Sequence, residues 1–207
     1  MLVRAKMTAN PITVTPQDLI ATAQTRMRTG DFSRVPVVEN DKLVGILTDR
    51  DIRLYEGLEK HTKVKAVMTE QPLTISAQST VEEAAALLLQ HKIGGLPVID
   101  GQQLVGVITT TDILQAFLDS SGATDTTSTR IDFMQKGGPP DVAEACRLVQ
   151  EQHGEVLGVG TYPDPWSGQP ISYLRFRAPE PDLIAEALRT KGYAVLSVQK
   201  HHAENRA

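Results

Sequence analysis

The chain has 207 residues, of which 41% are hydrophobic and 22% charged, and its net charge is −4. This balance is typical of a soluble globular protein, while the mild acidity and an aromatic content of only 4% argue against nucleic acid as a partner. One cysteine excludes an internal disulfide, and the longest apolar run, 84–89, is too short to span a membrane. Because no apolar leader follows Met1, we expect a cytoplasmic protein.

The first predicted elements recur 61 positions further along the chain. Residues 3–52 and 64–113 are identical at 16 of 50 positions, far more than chance gives. Each copy predicts a short strand, a helix, two strands and a second helix. Asp18 and Ser79 are predicted to cap the first helices, with Glu82 completing a capping box in the second copy. The repeat therefore predicts a duplicated unit.

A polar stretch over 120–129 follows the second copy and predicts a linker with nothing to bury. The elements predicted beyond it are the strand 130–135, the helix 141–153, the hairpin strands 155–162 and 171–177, the helix 182–191 and the strand 193–199. Their order is βαββαβ, which is the ferredoxin-like arrangement.

A hydroxyl and a carboxylate lie three residues apart where a strand meets a helix in both copies. The pairs are Thr48 with Asp51 and Thr109 with Asp112. One interpretation is a capping box, in which each side chain bonds to the backbone amide of the other residue. The other is a ligand site, because a helix N-terminus favours phosphate and a carboxylate accepts from ribose hydroxyls. Duplication copies caps as well as sites, so both interpretations stay open.

Basic and glycine residues near these junctions differ between the copies. Arg50 opposes the helix dipole, which indicates either a phosphate contact or pairing with a neighbouring aspartate, whereas the second copy has Thr111. Arg34 is a second candidate phosphate contact or a surface charge. Gly94 and Gly95 allow either a close backbone approach to a ligand or a permissive turn. The two sites are expected to differ in their preference for charged ligands.

Catalytic motifs are missing from the sequence. It has no Gly-x-Ser-x-Gly, no Walker loop and no Gly-x-Gly-x-x-Gly after a strand. Cys146 lies on an apolar helix face, which favours a buried core thiol over a nucleophile. Asp49 and Asp51 are two acids without further ligands, which is weak evidence for a metal. We expect a protein that is not an enzyme, with no catalytic residue, no metal and no required cofactor.

Three segments, each with its copy, carry a resemblance to a known family: Met7-Thr8 with Pro11, Val35-Pro36-Val37-Val38, and Gly45-Ile46-Leu47-Thr48-Asp49-Arg50-Asp51. Residues 3–118 resemble a tandem pair of CBS domains, often called a Bateman module. Residues 129–199 are similar to an ACT-type domain in their element order and in the loop Gly137-Gly138-Pro139-Pro140. This layout resembles that of AcuB-type acetoin utilisation proteins.

The resemblance implies an α/β (α+β) fold, with a tandem CBS-domain pair followed by a ferredoxin-like, ACT-like domain. The expected boundaries are 1–60 for the first CBS repeat, 61–119 for the second, 120–129 for the linker, 130–200 for the ACT-like domain and 201–207 for the tail. The two repeats are expected to pack about a pseudo-twofold axis, and both modules usually associate as homodimers.

By resemblance, the clefts between the repeats bind AMP, ADP, ATP or S-adenosylmethionine. Asp51 and Asp112 are then expected to hold the ribose, Thr48 and Thr109 to assist, and Arg50 to contact phosphate. The residues expected around adenine are Ile12, Thr13, Ser33, Arg34, Val35, Leu73, Thr74, Gly94, Gly95 and Leu96. With Thr111 in place of a basic residue, the second cleft is expected to bind nucleotides less strongly.

The ACT resemblance implies a small effector, often an amino acid, at the loop of Gly137, Gly138 and Pro139, although this loop departs from the usual Asp-x-Pro-Gly form. The whole resemblance predicts a regulatory protein that senses an adenosyl ligand and relays its binding to the ACT-like domain. The alternative is an adaptor that senses nothing, dimerises and docks a metabolic enzyme of acetoin utilisation. Neither reading predicts a membrane or a nucleic acid as partner.

Overall fold

The protein divides into two compact units, of which the first ends at Ala116 and the second begins at Phe117. The structure is a computed structural model that describes residues 1–135 and 141–201. Helices and strands are mixed in both units, which confirms the predicted α/β class.

The first unit holds both sequence repeats. The first repeat contains β1 (Thr8–Ala9), α1 (Ile20–Gly30), β2 (Arg34–Glu39), β3 (Lys42–Thr48) and α2 (Asp49–Arg53), and the second contains β4 (Thr69–Glu70), β5 (Ile75–Ser76), α3 (Val81–His91), β6 (Gly95–Asp100), β7 (Gln103–Thr109) and α4 (Thr110–Ser120). Single 3-10 turns precede β1 and β4. The second helices differ in length, since α2 has 5 residues and α4 has 11.

The two repeats share one sheet through an exchange of their opening strands. The sheet runs β2-β3-β7-β6-β5, while β1 pairs with β7 and β4 pairs with β3. Thr8 of the first repeat lies opposite Val107, and Thr69 of the second lies opposite Ile46. Each opening strand therefore belongs to the hairpin of the other repeat, and the repeats form a single module.

A glycine allows each opening strand to pair closely with the hairpin of the other repeat. A Cβ at Gly106 would lie 2.5 Å from the Sδ of Met7, and one at Gly45 would lie 2.7 Å from the Sδ of Met68. Both distances are shorter than any ordinary carbon–sulfur contact. The Met-Thr segment of each repeat therefore packs against the Gly-x-x-Thr segment of the other repeat.

The helix caps differ from the predicted ones. In α3 the N-cap is Thr80, whose hydroxyl accepts from the Glu83 amide while Glu83 accepts from the Thr80 amide. The predicted capping box of Ser79 and Glu82 is therefore one residue out of place. In α1 the N-cap is Leu19, which has no side-chain bond. Asp18, predicted as that cap, accepts instead from the Thr15 amide at 2.8 Å.

Two apolar cores, one for each repeat, lie against the shared sheet. The buried residues of the first are Val14, Ile20, Ala23, Met27, Val35, Val37, Leu47, Ile52 and Val64, and those of the second are Val3, Ile75, Ala77, Ala84, Leu88, Leu96, Val98 and Ile108. Val3 comes from the chain start, ahead of β1, yet it is fully buried in the second core. Each core therefore draws on both repeats.

The second unit has the predicted βαββαβ order. It comprises β8 (Thr129–Gln135), α5 (Val142–Glu151), β9 (Glu155–Pro163), β10 (Pro170–Arg177), α6 (Pro181–Thr190) and β11 (Tyr193–Lys200). The strands form an antiparallel sheet in the order β11-β8-β10-β9, which is the ferredoxin-like arrangement. Ile131, Phe133, Leu174 and Phe176 are fully buried and share a core with Leu188 of α6.

The segment before β8 is more ordered than a solvated linker. Ser121 is 7% exposed and Ser128 is 1% exposed, and their hydroxyls donate to the backbone carbonyls of Leu118 and Asp125. The predicted absence of buried groups in this stretch is wrong, because Ser121 lies against Gly158 of β9 and the Ser128 hydroxyl accepts from Arg175 of β10 at 2.9 Å. The predicted effector loop of Gly137, Gly138 and Pro139 lies outside the described residues.

Candidate functional site

The first strand-to-helix junction is a capping box. The amide and the hydroxyl of Thr48 both donate to Oδ2 of Asp51, at 2.9 and 2.6 Å. The hydroxyl oxygen of Thr48 in turn accepts from the Asp51 amide at 3.3 Å. Thr48 and Asp51 therefore form the capping box that their spacing predicts.

The second junction repeats the same bonds. The amide and the hydroxyl of Thr109 donate to Oδ2 of Asp112, both at 2.7 Å, and the Asp112 amide donates back at 3.3 Å. Both bonds from the threonine fall on Oδ2, so Oδ1 is not used by the box. The box orients the carboxylate while leaving one oxygen for a ligand hydroxyl, which makes the two interpretations compatible.

Backbone bonds hold each junction against the start of the neighbouring strand. The Asp49 amide donates to the Ser33 carbonyl at 2.8 Å, and the Thr110 amide donates to the Gly94 carbonyl at 3.1 Å. In the antiparallel register, Gly95 lies opposite Thr109. The glycine pair of the second repeat thus lies directly beside the hydroxyl–carboxylate pair.

A cleft of about 960 Å³ opens beside the second junction. Its lining is Thr8, Asn10, Pro11, Ile12, Gln24, Met27, Arg28, Gly30, Asp31, Phe32, Ser33, Arg34, Pro36, Asp49, Gly94, Val107, Thr109, Thr111 and Asp112. These residues come from both repeats, and the apolar ones of the first lie in the same cleft as the polar junction of the second. The volume lies at the upper end of the range for small-molecule sites.

The cleft brings together only some of the predicted site residues. Those that line it are Ile12, Ser33, Arg34, Gly94, Thr109, Thr111 and Asp112, whereas Thr13, Val35, Thr48, Arg50, Asp51, Leu73, Thr74, Gly95 and Leu96 do not. The whole hydroxyl–carboxylate pair of the first repeat is in the second group. Of the first junction, only Asp49 reaches this cleft.

Several predicted adenine contacts lie elsewhere. Val35 and Leu96 are fully buried in the two cores, so their side chains are not available to a ligand. Thr74 lines a separate, smaller cavity of about 460 Å³ together with Ser76 and Glu83. Neighbouring residues of a strand face opposite sides, so Val35 packs into the core while Arg34 and Pro36 beside it line the cleft.

Sequence reasoning missed the contribution of α1 to the cleft. Gln24, Met27 and Arg28 line it from the helix, and Asp31 and Phe32 line it from the turn that follows. Met27 is only 4% exposed and also belongs to the first core. The helical spacing of apolar residues in α1 predicts the face that packs into the core. It does not show which residues at the end of that face also line a cavity.

The helices that begin at the two junctions differ in length. At the second junction α4 runs for 11 residues, while α2 at the first has 5. Both present free backbone amides at their N-termini, which favours negative charge there. Burial lowers the pKa of the Arg34 guanidinium, which lines the same cleft. Asp49 is paired with Arg53 at 2.5 Å.

The second unit has a polar cluster that is already internally paired. Asp132 is 4% exposed and binds Arg130 at 2.7 Å, and it accepts from the hydroxyls of Tyr162 and Ser197 at 3.0 and 2.8 Å. Burial opposes ionisation of Asp132, but these hydrogen bonds outweigh it and lower the pKa. Arg130 also stacks on the ring of Tyr173 at 4.1 Å. The cluster stabilises the sheet rather than presenting an open site.

Groups that would support other chemistry are not found in the described part of the chain. Residues 1–135 and 141–201 contain no group of three or more His, Cys, Asp and Glu side chains placed to hold a metal ion. Within the same residues, no helix is long and apolar enough to cross a membrane. Burial raises the pKa of the Cys146 thiol, which disfavours the thiolate that a nucleophile requires.

The family model of the CBS domain matches the chain twice, over 3–56 and over 64–119. The two matches coincide with the two sequence repeats and together cover most of the first unit.

Curated relatives also match this chain. The inosine-5'-monophosphate dehydrogenase of Methanocaldococcus jannaschii is 36% identical over 143 residues, which are 68% of this chain and 28% of the dehydrogenase. The CBS domain-containing protein YhcV of Bacillus subtilis is 35% identical over 114 residues, or 54% of this chain and 81% of YhcV. The chain thus spans less than a third of the dehydrogenase and most of YhcV.

Solved structures of CBS pairs are similar to this chain. The AcuB protein of Vibrio cholerae is 31% identical, with a TM-score of 0.53, over 57% of this chain and 90% of AcuB. CBSX2 in complex with AMP is 29% identical, with a TM-score of 0.50, over 56% of this chain and 96% of CBSX2. The CBS pair of MJ0100, in complex with 5'-methylthioadenosine and S-adenosyl-L-methionine, is 27% identical, with a TM-score of 0.53, over 60% of this chain and 98% of that pair.

Proposed function

Because the chain belongs to the CBS domain family, we propose that it is a regulatory protein that binds an adenosyl ligand between its two repeats. The observation that carries the proposal is the position of Thr109 and Asp112 at the N-terminus of α4, in a cleft of about 960 Å³. AMP, ADP, ATP and S-adenosylmethionine share the adenosine that this cleft suits. CBSX2 and MJ0100, which are similar to this chain, are described with such ligands.

The parts of the cleft match the parts of an adenosyl ligand. Ile12, Pro11 and Phe32 offer apolar surface to adenine. The free Oδ1 of Asp112 accepts from a ribose hydroxyl, and the α4 N-terminus favours a phosphate. Few aromatic residues are needed, because aliphatic side chains and proline can cover the faces of the base.

Helix α4 supplies a covalent route from the ligand to the second unit. It begins at Thr110, next to the ligand junction, and ends at Ser120, beyond the start of the second unit at Phe117. We propose that ligand binding shifts this helix and so informs the ACT-like domain, which has the ferredoxin-like strand order. The loop of Gly137, Gly138 and Pro139 stays in this proposal as the expected effector loop, with no amino acid assumed as its ligand.

Calorimetric titration of the full chain with AMP, ATP and S-adenosylmethionine tests the proposal, with GMP as a control for base selection. We expect heat with at least one adenosyl ligand and its loss in Asp112→Ala. Asp51→Ala is the matched control, since it breaks the same box outside the cleft. Absence of heat with every adenosyl ligand contradicts the proposal.

The second candidate function is an adaptor that dimerises and docks a partner enzyme, for example in acetoin utilisation. The capping boxes at both junctions favour it, because a capping role explains why both pairs form the same hydrogen bonds without a ligand. Exposed apolar side chains on α4 also favour it, with Leu114 60% and Phe117 63% exposed. In this case Asp51→Ala and Asp112→Ala both lower the melting temperature, while no nucleotide raises that of the wild type.

A further inference from the structure

The first helices of the two repeats differ in the side chain that lies beside the preceding strand segment. In the first repeat, the guanidinium of Arg26 on α1 donates through Nη1 to the backbone carbonyl of Thr13. The equivalent positions of the second repeat, 61 residues further on, are Leu87 on α3 and Thr74. The side chain of Leu87 has no hydrogen-bond donor, so it cannot repeat the bond to the carbonyl. The first repeat therefore supplies a cation at a place where the second does not.

The second repeat has an open cavity at this place, which we call the Thr74 cavity. Its volume is about 460 Å³, which lies within the range for small-molecule sites. Its lining includes Thr74, Ser76 and Ser79 from β5 and its flanks. Glu83 and Leu87 line it from α3. One wall thus has hydroxyl groups and the other has a carboxylate beside an apolar side chain.

The charge at this place is reversed between the repeats. Glu83 stands where the first repeat has Thr22. Its Oε2 accepts from the Thr80 amide at 2.9 Å in the capping box of α3, so Oε1 takes no part in that box. The first turn of α3 holds Glu82 and Glu83, whereas the first turn of α1 has no acidic residue. These carboxylates offset the positive end of the helix dipole, which would otherwise disfavour a cation in the cavity.

We propose that the Thr74 cavity binds the guanidinium group of an arginine supplied by another molecule. The guanidinium takes the place that Arg26 fills in the first repeat. It donates to the Thr74 carbonyl and to the carboxylate of Glu83, while its methylene stem lies along Leu87. A guanidinium suits these acceptors better than an ammonium, because its donors form a fixed planar fork.

This site is separate from the cleft proposed for the adenosyl ligand. The two cavities have no lining residue in common. The inference therefore goes beyond the proposed function and does not depend on it.

Titration of the isotope-labelled full chain with N-acetyl-arginine methylamide, followed by heteronuclear NMR, tests the inference. The control ligand is N-acetyl-citrulline methylamide, which has a neutral urea group of nearly the same shape in place of the guanidinium. We expect saturable shifts at the amides of Thr74, Glu83 and Leu87. The arginine compound should bind about 3- to 10-fold more tightly than the citrulline compound, because the charge-assisted bonds form at a solvent-exposed carboxylate.

Three variants test the role of the carboxylate and of the open space. Glu83→Gln removes the charge but keeps a side chain that can complete the capping box, and the preference should fall to about twofold or less. Glu82→Gln is the matched control and should keep the preference, since Glu82 lies in the same turn, 3.9 Å from the Met1 amino group, and does not line the cavity. Leu87→Arg places the chain's own guanidinium there, as in the first repeat, and should abolish the shifts.

Free L-arginine, titrated in the same way, distinguishes the two sources of the guanidinium. Tighter binding of the blocked compound supports the site with a protein arginine as its ligand, and tighter binding of free L-arginine supports it with the amino acid as its ligand.

Four results overturn the inference: no binding of either arginine compound, equal binding of the arginine and citrulline compounds, an equal loss of preference in Glu83→Gln and Glu82→Gln, or shifts that persist in Leu87→Arg. The proposed function is decided separately by the titrations with adenosyl ligands, because Asp112 and the adenosyl cleft are unchanged in all these variants.

Discussion

The two repeats agree where they build the shared sheet and differ where they border the cleft. Leu47 and Ile108 occupy equivalent positions, and both are fully buried. The Thr-x-x-Asp boxes likewise have the same bonds in both copies. By contrast, the helices that follow them have 5 and 11 residues. Duplication has thus preserved the frame while the surroundings of the ligand junctions have diverged.

The differences around the cleft complement one another. The second repeat has Gly95 and Thr111 at the positions where the first has Arg34 and Arg50. Because Gly95 has no side chain, the side chain of Arg34 can lie against it. A residue of one repeat thus lies in the cleft beside the junction of the other, and the cleft at Thr109 and Asp112 is lined by residues of both repeats.

The largest effect is expected from truncating equivalent core residues. Leu47→Ala and Ile108→Ala each remove a fully buried side chain, and each should lower the free energy of unfolding by about 2–5 kcal/mol. Because β1 and β4 join each hairpin to the other repeat, both variants should unfold the first unit in one transition. Urea unfolding followed by circular dichroism measures this.

Leu183→Ala is a suitable control, since that side chain is 51% exposed on α6 in the second unit and should cost much less. Separate unfolding transitions for the two repeats in either core variant would contradict this expectation, because they would show that each repeat folds on its own.

The next effect concerns ligand-linked stability. At an AMP concentration about 100 times the dissociation constant, binding should stabilise the wild type by about 2.7 kcal/mol. Asp112→Ala should lose this increment, whereas Asp51→Ala should keep it, because only Asp112 lines the cleft. Differential scanning fluorimetry with and without AMP measures both. Equal losses in the two variants would show that the junctions are equivalent despite their different helices.

Glycine-to-alanine changes at the strand crossings come third. Gly106→Ala and Gly45→Ala place a Cβ 2.5 and 2.7 Å from the sulfur atoms of Met7 and Met68. Each should cost about 1–3 kcal/mol, the typical cost of overpacking. Leu89→Ala is a control without such crowding, since that side chain is 79% exposed on α3 and its truncation should cost much less. A neutral Gly106→Ala would show that Met7 can move away freely.

Much of the frame could be predicted from the sequence. The repeat, its hairpins and the βαββαβ order of the second unit depend on local periodicity and turn residues, which the sequence displays directly. The Thr-x-x-Asp boxes were likewise visible, because their partners lie three residues apart. The sequence predicts the cap of α3 at Ser79 instead of Thr80, because both hydroxyls precede the same apolar helix face.

The cleft depends on contacts that local patterns do not contain. The pairing of Thr8 with Val107 joins residues far apart in the chain, and so does the contact of Arg34 with Gly94. The short α2 also differs from its copy, although Ile52 and Ile113 are the same residue type. The sequence therefore predicts the candidate polar site residues better than it predicts which of them lie in the same cleft.

The smallest effect is expected from giving the second junction the arginine of the first. Thr111→Arg adds a cation to a cleft that already holds Arg34, so AMP affinity should rise less than tenfold. In an Arg34→Gln background the same change should raise AMP affinity more, because the new arginine then replaces the guanidinium that Arg34 no longer provides. Calorimetry on the four proteins gives the coupling between the two positions. If Thr111→Arg has the same effect in both backgrounds, the two arginines act independently, and the differences between the repeats do not compensate for each other.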